Sequence, residues 1–424
     1  MTEVHLPKKD LLIDRTSLED LKAATLTLLA YCQANEWKGH DPYDALNSRV
    51  FRLLPFLDFR IPRIVLTQLM KRSPLNFRSL LLVPKTRNPK GLALTLAALL
   101  RLSRLGLLDQ KNDLDVITDE LVALRSPNTP YWCWGYSFPW QTRTILVPKG
   151  APNLVCTVFV ANALMDAYET NHDSRCLTMA ASAAEYILNE LYWTEDDIIA
   201  GFSYPLPSMR GGVHNANFLS AALLCRIYKH SGETKFLEAA LKVARYSAAQ
   251  QHADGSWDYG EASTQRWVDN FHTGYNLCSL KSICEYAGTS EFEAHIRIGF
   301  KFYRTHFFRE DGAPKYFHNR TYPIDIHSVA QSIITLLAFR DFDENNLSLT
   351  LSIYRWAMSH MWDEQGYFYY QILPLYKIRI SYMRWSQAWM LLALSTLLEH
   401  CDQAATGKRD VCPVKQNGLR EARA

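Results

Sequence analysis

Residues 214–228, HNANFLSAALLCRIY, open on a polar residue and continue as a helix that is apolar almost all round; the next helix, 234–251, is of a different kind. In it Phe236, Leu237, Ala240, Leu241, Ala244 and Tyr246 form one apolar stripe, with Lys235, Glu238 and Lys242 opposite. A helix apolar on every side is buried on every side, whereas a one-sided helix lies on the surface. The pair therefore reads as an inner helix followed by an outer one.

The pair recurs. Inner segments also start at Asn153 (NLVCTVFVANALMDAY), His272 (HTGYNLCSLKSICEY), His327 (HSVAQSIITLLAF) and Arg384 (RWSQAWMLLALSTLL), so the five starts are 61, 58, 55 and 57 residues apart. GLALTLAALLRLSRLG, from Gly91, lies about one period upstream and makes six. Outer segments fall near 113–126, 174–192, 234–251, 290–308 and 345–361. Self-similarity at such a period marks stacked helical hairpins. The sixth inner helix has no partner after it, because residues 401–424 are polar and read as a disordered tail. The N-terminal helix from Ser17, SLEDLKAATLTLLAYCQANE, can pair with it instead. The expectation is an all-α chain: one (α/α)6 toroid of six hairpins over residues 1–400, with its ends meeting.

Four outer helices are followed by turn residues and aromatics: DDIIAGFSYP (196–205), DGSWDYG (254–260), DGAPKYF (311–317) and DEQGYFYYQ (363–371). Asp-Gly and Gln-Gly are turn signals, so short aromatic β-hairpins or extended edges are predicted at one mouth of the ring. Residues 37–90 are irregular and have no place in the repeat.

Bulk properties exclude several classes. The 424 residues are 48% hydrophobic and 21% charged, as in a folded globular chain, and the net charge of +3 with no basic block argues against nucleic acid. No stretch approaches the roughly 18 apolar residues of a membrane span. The N-terminus lacks a signal-peptide core. Nine cysteines without a CxxC pair suit reduced thiols, and a cytoplasmic location is expected. Neither a metal nor another cofactor is expected, since no HxH or HExxH pair occurs.

Residues at the tops of inner helices face the central mouth, so Asn153, His214, His272, His327 and Arg384 are candidates. Each has a polar neighbour three or four residues on, the same face one turn down: Thr157, Asn217, Asn276, Gln331 and Gln387. Asn153 also suits an N-cap, and a buried histidine can be merely structural. Trp257, Tyr259, Tyr275 and Tyr316 belong to the aromatic surroundings of the mouth. The loop YWCWGYSFPWQTR (131–143) can either stack on a sugar or plug the ring. Asp269 and Asp325, just before two inner helices, form the leading acid–base pair with His272 beside them, and both also suit N-capping.

The repeat with its aromatic turns resembles the six-hairpin glycosidase superfamily, which includes unsaturated glucuronyl hydrolases, N-acylglucosamine and cellobiose epimerases, and the helical domains of polysaccharide lyases. WGYSFPWQTR, PNLVCTVFVANAL, VHNANFLSAALL, QHADGSWDYG, WVDNFHTGYNL and YMRWSQAWM are similar to segments of bacterial toroids found with exopolysaccharide or lipopolysaccharide biosynthesis. The resemblance implies action on a bacterial surface polysaccharide, neutral or anionic, or on its precursor, with glycoside hydrolysis by Asp269 and Asp325 first in line. Lyase or epimerase chemistry at a uronate is the alternative, with His272, Tyr275 or Tyr316 as base and Arg384 at the carboxylate. A non-catalytic glycan-binding scaffold among polysaccharide-assembly proteins is a third reading. QHADGSWDYG also resembles the QW motif of terpene cyclases and prenyltransferases, but DxDD and DDxxD are missing.

Overall fold

The first and last inner helices lie side by side, and that contact closes the ring. The computed structural model describes residues 15–108 and 112–406. In chain order its helices are α1 (Arg15–Ala34), α2 (Arg49–Arg52), α3 (Arg60–Arg72), α4 (Pro89–Arg104), α5 (Asn112–Ala123), α6 (Leu154–Asn171) and α7 (Ser174–Tyr186). There follow α8 (His214–Ser231), α9 (Thr234–Ala248), α10 (Asn270–Ala287), α11 (Glu293–His306), α12 (Ile326–Ala338), α13 (Asn346–Met361) and α14 (Ala388–Thr406). The inner ring runs α4, α6, α8, α10, α12, α14 and back to α4, each packed on the next. Helices α5, α7, α9, α11 and α13 pack outside it, and α1 covers α14. This is the (α/α)6 toroid.

The patterning explains the layers. On α9, Phe236, Ala239, Ala240, Val243 and Ala244 are buried on one side only, whereas α8 is buried along nearly its whole length, from His214 to Ile227. Left-handed residues end three inner helices at His172, Gly232 and Gly288, where the chain turns sharply into its outer partner. Helix α14 runs through Thr406, past the expected end at 400. The N-terminal 1–14 and 407–424, which hold Cys412 and most of the expected tail, lie outside the described residues.

Of the four predicted hairpins, two form as drawn: 192–194 pairs with 200–202, and 362–363 with 367–368. DGSWDYG and DGAPKYF make isolated bridges instead: Gly260 to Val213 and Phe317 to Asp269 tie each to the top of an inner helix, while Pro314 also pairs with Phe308 across its turn and Phe317 with Arg320. A three-stranded patch joins 324–325, 371–372 and 377–378. Residues 37–90 seal the junction between α14 and α4. His40 bridges to Tyr382, Gly39 to Thr86, and buried Arg78 donates to the Asp44 carboxylate (2.7 Å) and the Asp41 carbonyl (2.8 Å). A Cβ on Gly39 would sit 2.5 Å from the Met383 Cβ, so only glycine fits this crossing.

Candidate active site

The second residue of each of five inner helices faces a common cavity. Lys90, Val155, Asn215, Phe271 and His327 hold that position in α4, α6, α8, α10 and α12, and all line a cavity of about 690 Å³ at the aromatic mouth. Arg384 and Trp385, from the π-turn Met383–Gln387 before α14, fill the sixth sector. One residue along a helix is about 100° of rotation. The expected ring of Asn153, His214, His272, His327 and Arg384 is therefore out of register with itself.

His214, the first residue of α8, turns outward to within 3.4 Å of Ser247 on α9. Asn153 caps α6, accepting from the Cys156 amide (3.1 Å) and donating to the Pro205 carbonyl (3.3 Å). His272, third in α10, does reach the cavity, as do Tyr259, Tyr275, Tyr316, His327 and Arg384.

The remaining polar candidates serve the fold. Asn217 accepts from the Phe202 amide (3.0 Å). Gln387 both accepts from and donates to the Phe368 backbone (2.9 and 2.8 Å), and Thr157 does the same for Trp134 (3.0 and 3.2 Å). One turn below the mouth, these side chains pin the backbone of the aromatic turns. Gln331 donates to Thr335 (3.0 Å), Asn276 is buried, and Trp257 is buried against Phe218 with its indole N–H on the Ser247 carbonyl. None of them lines the cavity.

The two aspartates differ. Asp325 is fully buried: it caps α12 through the His327 amide (2.9 Å) and accepts from Gln371 (2.7 Å) and Trp385 (2.9 Å). Burial pushes its carboxyl up to about 6 despite those donors. It is off the cavity wall, so the two aspartates do not meet across the mouth as an acid–base pair. Asp269 is also off the wall, but it touches a group that is on it. Its Oδ1 accepts from the His272 amide (3.0 Å). Its Oδ2 accepts from His272 Nδ1 (2.7 Å) and from the Trp267 indole (3.0 Å). The Asp269 side chain is buried while the His272 ring is partly open to the cavity. A carboxylate on Nδ1 fixes the tautomer and leaves Nε2 as an acceptor for a substrate proton.

Beside it, the Tyr275 hydroxyl lies 2.6 Å from His327 Nε2. Burial holds Tyr275 well above the usual phenol range, so it keeps its proton. Burial, with Lys90 and Arg384 nearby, holds His327 well below its ordinary value, so it is neutral and accepts that hydrogen bond. Tyr275 and His327 stack on Trp389 behind the wall, and Phe159 meets Tyr275 edge-on, with Lys90 Nζ 3.9 Å from the Phe159 ring centre. Burial holds Lys90 well below the usual ammonium range.

Much of the wall comes from segments outside the helical repeat. Tyr43, Gln68, Lys71 and Arg72 come from the unplaced region 37–90. Tyr136, Phe138, Trp140 and Arg143 come from the 131–143 loop, so that loop lines the mouth. The periodic signal that could have found Lys90 and Asn215 is the second helical residue, but helix starts are uncertain by one or two residues. Among the described residues no Asp or Glu lines the cavity, whereas Lys71, Arg72, Lys90, Arg143, Arg320 and Arg384 do. Among the described residues only Arg384 of these six is ion-paired: Nε and Nη2 donate to the two oxygens of Asp41 (2.6 and 2.8 Å). Among the described residues no three His, Cys, Asp or Glu side chains converge as a metal site.

No protein-family model and no curated protein matches the sequence. Solved structures do match in fold. A cellobiose 2-epimerase from Bacillus thermoamylovorans is 11% identical with a TM-score of 0.59 over 92% of this chain and 99% of its own. A GH76 alpha-mannanase from Bacteroides thetaiotaomicron is 13% identical, TM-score 0.57, over 75% and 86%. A polysaccharide lyase is 10% identical, TM-score 0.55, over 91% and 98%. At these identities the chain is similar to them in its toroid.

Proposed function

We propose that this chain acts on an acidic polysaccharide, such as one containing uronate, or on its precursor, by removing the proton next to the sugar carboxylate and eliminating the adjacent glycosidic oxygen. The cavity wall supports the reading: among the described residues Lys71, Arg72, Arg143 and Arg320 line it without an ion-pair partner, no carboxylate lines it, and one histidine is oriented from behind by Asp269. A two-carboxylate glycosidase needs both acids beside the bond it cleaves. A lyase needs a base, an acid and cations to hold the substrate carboxylate.

His272 Nε2 takes the proton from the carbon bearing the carboxylate. The C–H electrons become the new double bond, the C–O bond to the leaving sugar breaks, and its oxygen takes the Tyr275 phenol proton. Tyr275 lies three residues after His272 on the same face of α10, so base and acid approach one side of the sugar. Exposed Arg143 and Arg320 supply charge at the rim, and the aromatics Tyr259 and Trp267, stacked at 4.6 Å, offer a platform for a sugar face. Carbohydrate-active toroids among the structural neighbours, a lyase included, agree with this reading.

Incubation with acidic and neutral bacterial oligosaccharides, followed by mass spectrometry and ultraviolet absorbance, tests it. An absorbing, unsaturated product of unchanged total mass from acidic substrates alone is expected. Products that gain water would instead indicate hydrolysis, and binding without product a scaffold.

A further inference from the structure

The region between the first helix and the repeat carries a surface that the ring does not use. Leu53, Phe56, Leu69 and Leu80 are 79%, 71%, 65% and 74% exposed. Phe59, Ile61, Val65, Leu75 and Phe77 are exposed with them. Part of this surface is a groove of about 670 Å³ between α3 and the following turn, floored by Leu66, Met70 and Leu81. Single exposed apolar residues are ordinary, but a contiguous set on one short segment marks a contact surface.

Its charge says what kind. Residues 49–85 hold eight lysines and arginines against one acid, a surplus of seven in a chain whose whole surplus is three. The bases are spread along the segment, with Lys71 and Arg72 the one adjacent pair. The single acid, Asp58, is bonded to Arg63 (2.7 Å), while Arg49, Arg52, Arg60, Arg72 and Lys85 stand exposed. Exposed leucines and phenylalanines among unpaired cations match an anionic bilayer: the apolar groups enter the acyl boundary and the cations meet lipid phosphates. No helix among the described residues is long and apolar enough to cross a membrane, so the contact is with one face.

We infer that residues 49–85 dock this chain on the surface of an anionic lipid membrane. Helix α3 belongs to both features, since its Gln68 and Arg72 line the groove and the cavity alike. A docked chain therefore holds its mouth beside the bilayer.

The test is cosedimentation of the full chain, without saccharide, with vesicles of phosphatidylcholine alone or mixed equally with phosphatidylglycerol. Binding to the mixed vesicles only is expected, weakening as salt is raised. Leu69→Glu with Leu80→Glu, both exposed and off the cavity wall, should weaken it by roughly tenfold or more with an unchanged circular dichroism spectrum. Arg60→Glu should weaken it mainly at low salt. Equal binding by the double variant, or no binding to anionic vesicles at low salt, overturns the inference. So does a dimer in solution that the double variant splits, since a second copy would then cover the patch.

Discussion

Asp269 holds His272 twice, by the backbone amide at 3.0 Å and by the ring Nδ1 at 2.7 Å, so one carboxylate both starts α10 and aims its base. The two tasks separate by substitution. Asparagine caps a helix as well as aspartate does, but it cannot stabilise a protonated imidazole. Asp269→Asn keeps the cap but turns an amide N–H towards the Trp267 indole N–H, so the melting temperature should fall slightly while kcat falls by about 10²-fold or more, within the usual range of acid–base contributions. His272→Ala should cost at least as much. Loss of stability in step with activity would indicate a purely structural aspartate.

Tyr275→Phe removes the proposed acid and leaves His327 Nε2 without its hydrogen bond. Turnover should fall by about 10²-fold for substrates with a poor leaving group and by much less for one with a good leaving group. Equal losses on both would show that the phenol only supports the wall.

Arg143 and Arg320 touch the cavity from the rim, and neither has a carboxylate partner among the described residues. Alanine at either should raise KM for an acidic oligosaccharide by roughly threefold to tenfold at low ionic strength and less at high. Their kcat should hold. A neutral oligosaccharide bound equally well by wild type and variants fits the account; a similar loss for both substrates does not.

The buried pair Arg384 and Asp41 joins the 37–90 region to the last inner helix. Removing either partner leaves a buried charge, so Arg384→Ala and Asp41→Ala should each cost about 3–5 kcal/mol in urea unfolding. The double variant should cost less than the sum by roughly 1 kcal/mol or more. Additive losses would mean that the pair is not coupled.

Stability should respond to pH through two buried groups of opposite sign. Asp325 is pushed by burial from 3.8 up to about 6, so the folded chain binds that proton more tightly. Its contribution is largest below pH 4 and is lost as pH rises to about 6. His214 is held by burial from 6.5 down to about 4, so the unfolded chain takes up that proton first. Its contribution is present above pH 6.5 and is lost as pH falls towards 4. Each displacement corresponds to roughly 3 kcal/mol. Relative to wild type, Asp325→Asn should gain stability with rising pH across this window and His214→Gln should lose it. Unfolding curves at several pH values read both slopes, and the reverse slopes would contradict the burial.

The ring was legible because an inner helix must be apolar all round and an outer one on one side only, and five repeats made that contrast plain. The site was less so. His272, Tyr275 and His327 could be picked out as polar or aromatic residues near helix tops, but sequence could not phase the helices. A slip of one residue sent His214 to Ser247 and hid Asn215 and Lys90. Asp325 resembled Asp269 in sequence, each just ahead of an inner helix. What separates them is Gln371 and Trp385, brought from other repeats to satisfy one carboxylate and not the other. Region 37–90 has no period, and its contribution of Asp41, Tyr43 and Lys71 rests on long-range contacts alone.

The most direct test of proton abstraction is turnover of an acidic oligosaccharide in deuterated water by wild type and Asp269→Asn. Wild type should give an unsaturated, ultraviolet-absorbing product, and the variant the same product at least about 10²-fold more slowly. Deuterium gained without absorbance would point to epimerisation at the same carbon. A saturated product carrying one added water, made equally well by the variant, would contradict both the reaction and the role given to the Asp269–His272 pair.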